Sequence, residues 1–451
     1  MVFMLIAAVA MAACTPEDEP NNGGGNGSGS DTPGQTDDPS NGGGNDNGGD
    51  TPGQTEGPIH LPSVITEDMN LQDLGYDVDY IADNGCTIKG DALVTVGPGV
   101  TIRVEGPDSW GSVRGIIVTE NAALKMTGTA SNPIRFVGHE GSNANERTWL
   151  GITLGTKRPE NQWDYVEFLN AGVHDGEHPA IWLLAGSLAM RNCVIDGSNN
   201  SGLGLDRSHE EDPVLSEFQG NTIKNCDLAP ISMYGYNAVN CLVPGNTYQN
   251  ENNYVYFYSA AGITHYFDVD VKFKKLEIPY YFPKYQEWRG SKTVTIDEGV
   301  EMLFETGGIE VYGDMVFKAI GSAEHPITFR PRDPQGRWGG LLMSNTSSGN
   351  VVSHCVFRDG GSSSNSSGYR ATSLFYIGSK TKLTLTDNTF NNCRYYGVSI
   401  ADIKTFDNVA RSGNRFRNCE LANVHIIYGG EYHGVMYSDS NGNKDLADFP
   451  N

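Results

Sequence analysis

Two short stretches hold the side chains best suited to chemistry. HDGEHP places His174, Asp175, Glu177 and His178 within five residues. Imidazoles and carboxylates at that density can ligate a metal ion or supply an acid and a base. DRSHEEDP places Asp206, Glu210, Glu211 and Asp212 in a second loop, with oxygen donors of the kind calcium prefers. No cofactor is expected, with calcium at the second loop as the alternative. The plainer reading of both is a solvated charged loop.

A third feature is aromatic. Between Tyr254 and Trp288, 12 of 35 residues are Phe, Tyr or Trp, against 44 in the whole chain. If Val255 and Phe257 point inward, Tyr254, Tyr256 and Tyr258 point outward. Aligning Val255 with Ile231 sets Tyr258 over Tyr234. Tyr234, Tyr256 and Tyr258 would then form a row of rings on which sugars stack through their C–H faces. The competing reading is aromatic packing that closes a joint within the chain over 254–288.

The chain contains eight cysteines and no CxxC pair, so a zinc site of that type has no support. Cys393 and Cys419 recur at equivalent places, as either a disulfide staple or a stack of two small buried side chains.

Charge narrows the partners. The formal net charge is −24, and residues 15–62 hold nine acids with no Lys or Arg. An acidic surface repels phosphate backbones, which argues against nucleic acid. Residues 1–13, MVFMLIAAVAMAA, suit the apolar core of a signal peptide and are too short to span a bilayer. Residues 14–62 carry almost no apolar side chains and repeat DTPGQT, as a disordered tether would.

The elements that must position these residues are read from a repeat. GNTIKNCDLA at Gly220–Ala229 returns as GNRFRNCELA at Gly413–Ala422. Relatives of this motif place a large apolar residue at Phe168, Ile195, Ile223 and Tyr248, with gaps of 27, 28 and 25. A second series, Phe357, Phe390 and Phe416, has gaps of 33 and 26. Alternating apolar pairs follow each, including Leu203 with Leu205 and Val424 with Ile426. Units of this size, with strands broken by Asn and Gly and no room for a long helix, predict stacked coils that share a core. The Asn pairs Asn225 with Asn250 and Asn392 with Asn418 are expected to form turn ladders.

A larger duplication contains the motif. VTVGPGVTIRVEG from Val94 matches VTIDEGVEMLFET from Val294, and TWLGITL from Thr148 matches RWGGLLM from Arg337. The expected fold is all-β, a right-handed parallel β-helix of two tandem homologous modules over 63–262 and 263–451. Where the first copy has HDGEHP, the second has the serine-rich GGSSSNSSGYR.

Two resemblances follow. The segments GVTIRVEG, GTASNPIRF, GSAEHPITF, WLGI and WGGL, with the GNTIKN coils, resemble right-handed parallel β-helix repeat proteins over about residues 85–430. Ala12 and Ala13 before Cys14 resemble the lipobox of bacterial lipoproteins. That implies lipid on Cys14, and Glu17, Asp18 and Glu19 look like a signal for the outer-membrane surface. The body would then be held off the membrane as a binding or structural protein, with glycan as the expected ligand. The alternative is a polysaccharide lyase or glycoside hydrolase, since β-helix families include both.

Overall fold

Wherever valine, isoleucine and phenylalanine alternate with polar residues, the chain forms a strand of two to seven residues, and Gly or Asn then turns it. A computed structural model describes residues 57–105, 114–139, 149–172, 178–184, 186–206, 214–258, 264–361, 373–428, 431–432, 435–436 and 444–446. The described residues belong to one unit.

The strands assemble into parallel sheets by joining each coil to the next. We label five of these sheets A to E. Sheet A has eight strands, from Ile59–His60 to Thr247–Gln249. Sheet B has fourteen, from Val64–Ile65 to Arg415–Cys419. Sheet C has six, from Met69–Leu71 to Val214–Gln219. In the second half, sheet D has eight strands, starting at Thr264–Phe267, and sheet E has six, starting at Val271–Phe273. The chain visits A, B and C in turn, and later B, D and E. This winding is a parallel β-helix with three strands per coil. Sheet B alone runs unbroken through both halves. Antiparallel pairing occurs near the C-terminal end, where Lys444–Leu446 returns against Ala422–Tyr428 and Glu431–Tyr432 pairs with Val435–Met436.

Register confirms the repeat read from sequence. Phe168, Ile195, Ile223 and Tyr248 are successive partners in sheet A. Phe357, Phe390 and Phe416 are successive partners in sheet B. Their rings stack inside the coil with centroids 5.3 and 5.1 Å apart. The two series thus occupy different sheets. The strand Thr101–Val104 lies in sheet A, whereas the segment matching it in sequence, Glu301–Phe304, lies in sheet B. Likewise Ile152–Leu154 lies in B and its match Leu341–Asn345 in D.

The GNTIKN motif has a position-by-position cause. Three residues before each apolar residue, the backbone is left-handed at Tyr165, Asn192 and Gly220, and again at His354, Asp387 and Gly413. Two residues after it the same is true of Asn170, Gly197 and Asn225, and of Asp359, Asn392 and Asn418. Asn, Asp and Gly carry this conformation at the lowest cost. At Gly413 a β-carbon would stand 2.1 Å from Asp387 Oδ1.

The asparagine ladders are not where the turns suggested. Asn225 Nδ2 donates to Asp196 Oδ1 at 2.6 Å, and Asn392 donates to Asp359. Asn250 instead accepts the Cys226 amide at 2.8 Å. The ladder runs through the Asn of each GN or DN pair. Asn221 Nδ2 donates to Asn246 Oδ1, and Asn388 Nδ2 to Asn414 Oδ1, each at 3.0 Å. Asn221 and Asn388 are fully buried. They also accept the amides of Cys193 and Cys355 from the coil before, at 3.0 and 2.9 Å. The physical reason is burial: at the corner of the coil the backbone leaves its ladder, and these side chains satisfy it.

Candidate functional site

Sheet B builds an aromatic strip on its outer face. Ile181, Leu183, Ile231, Met233, Val255 and Phe257 point inward and are fully buried. The residues between them form an outward column: Thr153, Trp182, Gly204, Ser232, Tyr256, Tyr281 and Leu303 are successive register partners. Tyr234 and Tyr258 follow Met233 and Phe257, which are themselves partners. Their rings stack at 5.0 Å between centroids, 29° apart.

The ring contacts continue in both directions. His178 stands edge-on to Trp182 at 4.4 Å, and Trp182 lies 5.9 Å from Tyr234. Tyr258 reaches Tyr256 at 6.2 Å, Tyr256 reaches Tyr281 at 5.9 Å, and Tyr281 meets Tyr254 at 4.6 Å. Five neighbouring strands carry the strip, so it extends about 19 Å along the winding axis at ~4.8 Å per strand. Tyr234, Tyr256 and Tyr258 are half-buried, which leaves ring surface open. Tyr254 differs: it faces outward but is only 7% exposed, packed against Ala229, Tyr281 and Leu303.

One end of the strip is charged. Tyr281 donates its hydroxyl to Glu305 Oε2 at 2.7 Å, and Arg332 Nε binds the same oxygen at 3.1 Å. The Arg332 guanidinium also covers the Tyr281 ring at 5.1 Å. Burial first, and then the bond to Glu305, raises the Tyr281 phenol well above its ordinary value, so it stays neutral. Burial lowers His178 to about 4, so at neutral pH it is an uncharged ring.

The residues picked out by sequence separate as follows. Tyr234, Tyr256 and Tyr258 come together. His178 joins them as a ring beside Trp182. Asp206 closes the strand Ser201–Asp206, whereas His178 precedes the strand Ile181–Leu184, so they attach at opposite ends of sheet B strands. His174, Asp175, Glu177, Glu210, Glu211, Asp212 and Cys14 lie outside the described residues. Among the described residues, no three His, Cys, Asp or Glu side chains gather closely enough to hold a metal ion. Cys393 and Cys419 are register partners in sheet B, and both are free thiols. Trp182, Tyr281, Glu305 and Arg332 were not picked out. The alternation in IWLL was the available signal for Trp182.

Most other aromatic residues of the segment point inward, Tyr266 being exposed. Phe257, Phe267, Phe273, Tyr280, Phe282 and Trp288 are buried and mutually packed, with Phe273 and Trp288 stacked at 5.6 Å. Strand alternation therefore divides this segment between a core joint and an outer strip.

No family model matches the chain, and no curated protein or solved structure matches it either.

Proposed function

We propose that this chain is a surface-tethered lipoprotein whose β-helix binds a glycan along the aromatic strip of sheet B. The observation that carries the reading is the run of half-buried rings Trp182, Tyr234, Tyr258 and Tyr256 on one rigid outer face. Such rings offer flat apolar surface to the C–H faces of a sugar, on a backbone that the strands fix in advance. The carboxylate of Glu305 and the hydroxyls of the tyrosines supply bonds for sugar hydroxyls at the strip's margin. The anchor belongs to the same proposal and rests on the residues before and after Cys14. Lipid on that thiol and the Gly-rich tether would hold the β-helix away from the outer membrane, within reach of extracellular polysaccharide.

The test is a glycan array probed with the full body of the protein, followed by product analysis on every ligand retained. Binding with no new reducing or unsaturated ends supports the reading. Cleavage products would move the assignment to a polysaccharide-degrading enzyme, and an array with no ligand would remove it. For the anchor, a labelled fatty acid should enter the wild type and not Cys14→Ser.

A further inference from the structure

Two polar atoms beneath the strip have no hydrogen-bond partner among the described residues, the indole Nε1 of Trp182 and the hydroxyl of Ser232. Both residues belong to the outward column of sheet B, with Gly204 between them in register. Ser232 is 0% exposed although it faces away from the core. Gly204 leaves its strand without a side chain at this point. Pro179 Cγ and Tyr234 Cε2 fill that space, 2.5 and 3.4 Å from where a β-carbon would stand. A buried hydroxyl or N–H without a partner destabilises the fold, and these two are the ones on the outward column that carries the strip. The Tyr234 ring borders this gap and lies 5.9 Å from the Trp182 ring.

We infer that Trp182 Nε1 and Ser232 Oγ read the hydroxyl pattern of a neutral glycan seated on the strip. This rests on the glycan reading above. When the Tyr234 ring turns aside, the indole N–H donates to a sugar oxygen, and the serine exchanges a hydrogen bond with a sugar hydroxyl. The ligand is neutral because the strip's margins carry Asp206 and Glu305, while Arg332 is committed to Glu305 at 3.1 Å on a chain of net charge −24. A polyuronate would meet the Asp206 and Glu305 carboxylates at the strip's margins.

Isothermal titration tests this with neutral oligosaccharides, their singly deoxygenated analogues and oligouronates, against the wild type, Ser232→Ala, Trp182→Phe and Tyr258→Ala. The expected result is a neutral ligand whose affinity falls about five- to tenfold in Ser232→Ala and in Trp182→Phe. The wild type should also discriminate against one deoxy analogue that Ser232→Ala binds as well as the parent sugar. Loss of that discrimination reports hydroxyl reading, which a purely structural serine would not move. If both variants keep wild-type affinity and discrimination while Tyr258→Ala loses binding, the strip stands and this inference falls. Tighter binding of oligouronates also overturns it. If the wild type binds no sugar at all, the glycan reading falls and takes this one with it.

Discussion

The two halves of the β-helix are alike inside and unlike outside. Trp149 in the first half and Trp338 in the second are both fully buried, and each donates its indole N–H to a backbone carbonyl at 2.9 Å, those of Leu169 and Arg358. Each also stacks on a phenylalanine, Phe136 at 6.0 Å and Phe329 at 6.3 Å. On the outside the correspondence ends. The outward column of sheet B carries partly open rings. Sheet D, which holds the matching strands, packs Leu342, Tyr376, Ala401 and Ile427 into a closed apolar cluster. Of its open rings, Tyr428 stands at the far end of the sheet at 70% exposure, and Tyr266 at 61% and Tyr312 at 37% are separated by Arg289, whose guanidinium lies over Tyr312 at 4.6 Å. The lesson is that core side chains are constrained by both neighbouring coils, while outward positions are free to diverge toward a task.

The likeness inside can be broken most forcefully at the tryptophans. Trp149→Ala and Trp338→Ala should each destabilise the fold by about 3–5 kcal/mol, measured by denaturant unfolding. If one is nearly silent, the two interiors are not equivalent.

The asparagine ladders come next. Asn221→Ala and Asn388→Ala each leave a buried amide and a carbonyl without a partner, at a cost of about 2–3 kcal/mol. Asn225→Gly and Asn418→Gly should stay within about 0.5 kcal/mol, since glycine accepts the left-handed turn. A reversal of that ranking would mean that the turn asparagines, and not the buried ones, hold the coils.

Acid should act alike on the two regions. Burial lowers both His178 and His265 to about 4. Their folded values lie below the unfolded ones, so the stability they contribute is present above about pH 6.5 and is lost as pH falls from there toward 4. Each accounts for about 3 kcal/mol across that window. His265→Leu should therefore flatten the pH dependence of unfolding between pH 6.5 and 4. An unchanged slope would show that His265 is not buried as a neutral ring.

Much of the coil was legible because burial imposes a period: Phe168, Ile195 and Ile223 could recur as they do only if neighbouring coils share them. Tyr234, Tyr256 and Tyr258 followed from strand alternation and one register assumption. Glu305 and Arg332 were not legible for a specific reason. The sequence match sets their segments beside strands of sheet A, and only the winding shows that these segments continue sheet B. The asparagine ladder was misplaced because Asn at a turn and Asn buried at a corner look the same in sequence; coordinates alone distinguish Asn225 from Asn221. Trp182 was passed over because IWLL reads as core, although its second residue faces outward.

The outer face of sheet B, set against that of sheet D, is where the functional account is most exposed. The most direct measurement is the glycan affinity of Tyr234→Ala/Tyr258→Ala beside that of Tyr266→Ala/Tyr312→Ala, both checked for an unchanged melting temperature. The account predicts a loss of about tenfold or more in the first pair and a change within about twofold in the second. Equal losses, or a loss confined to the sheet D pair, would contradict it.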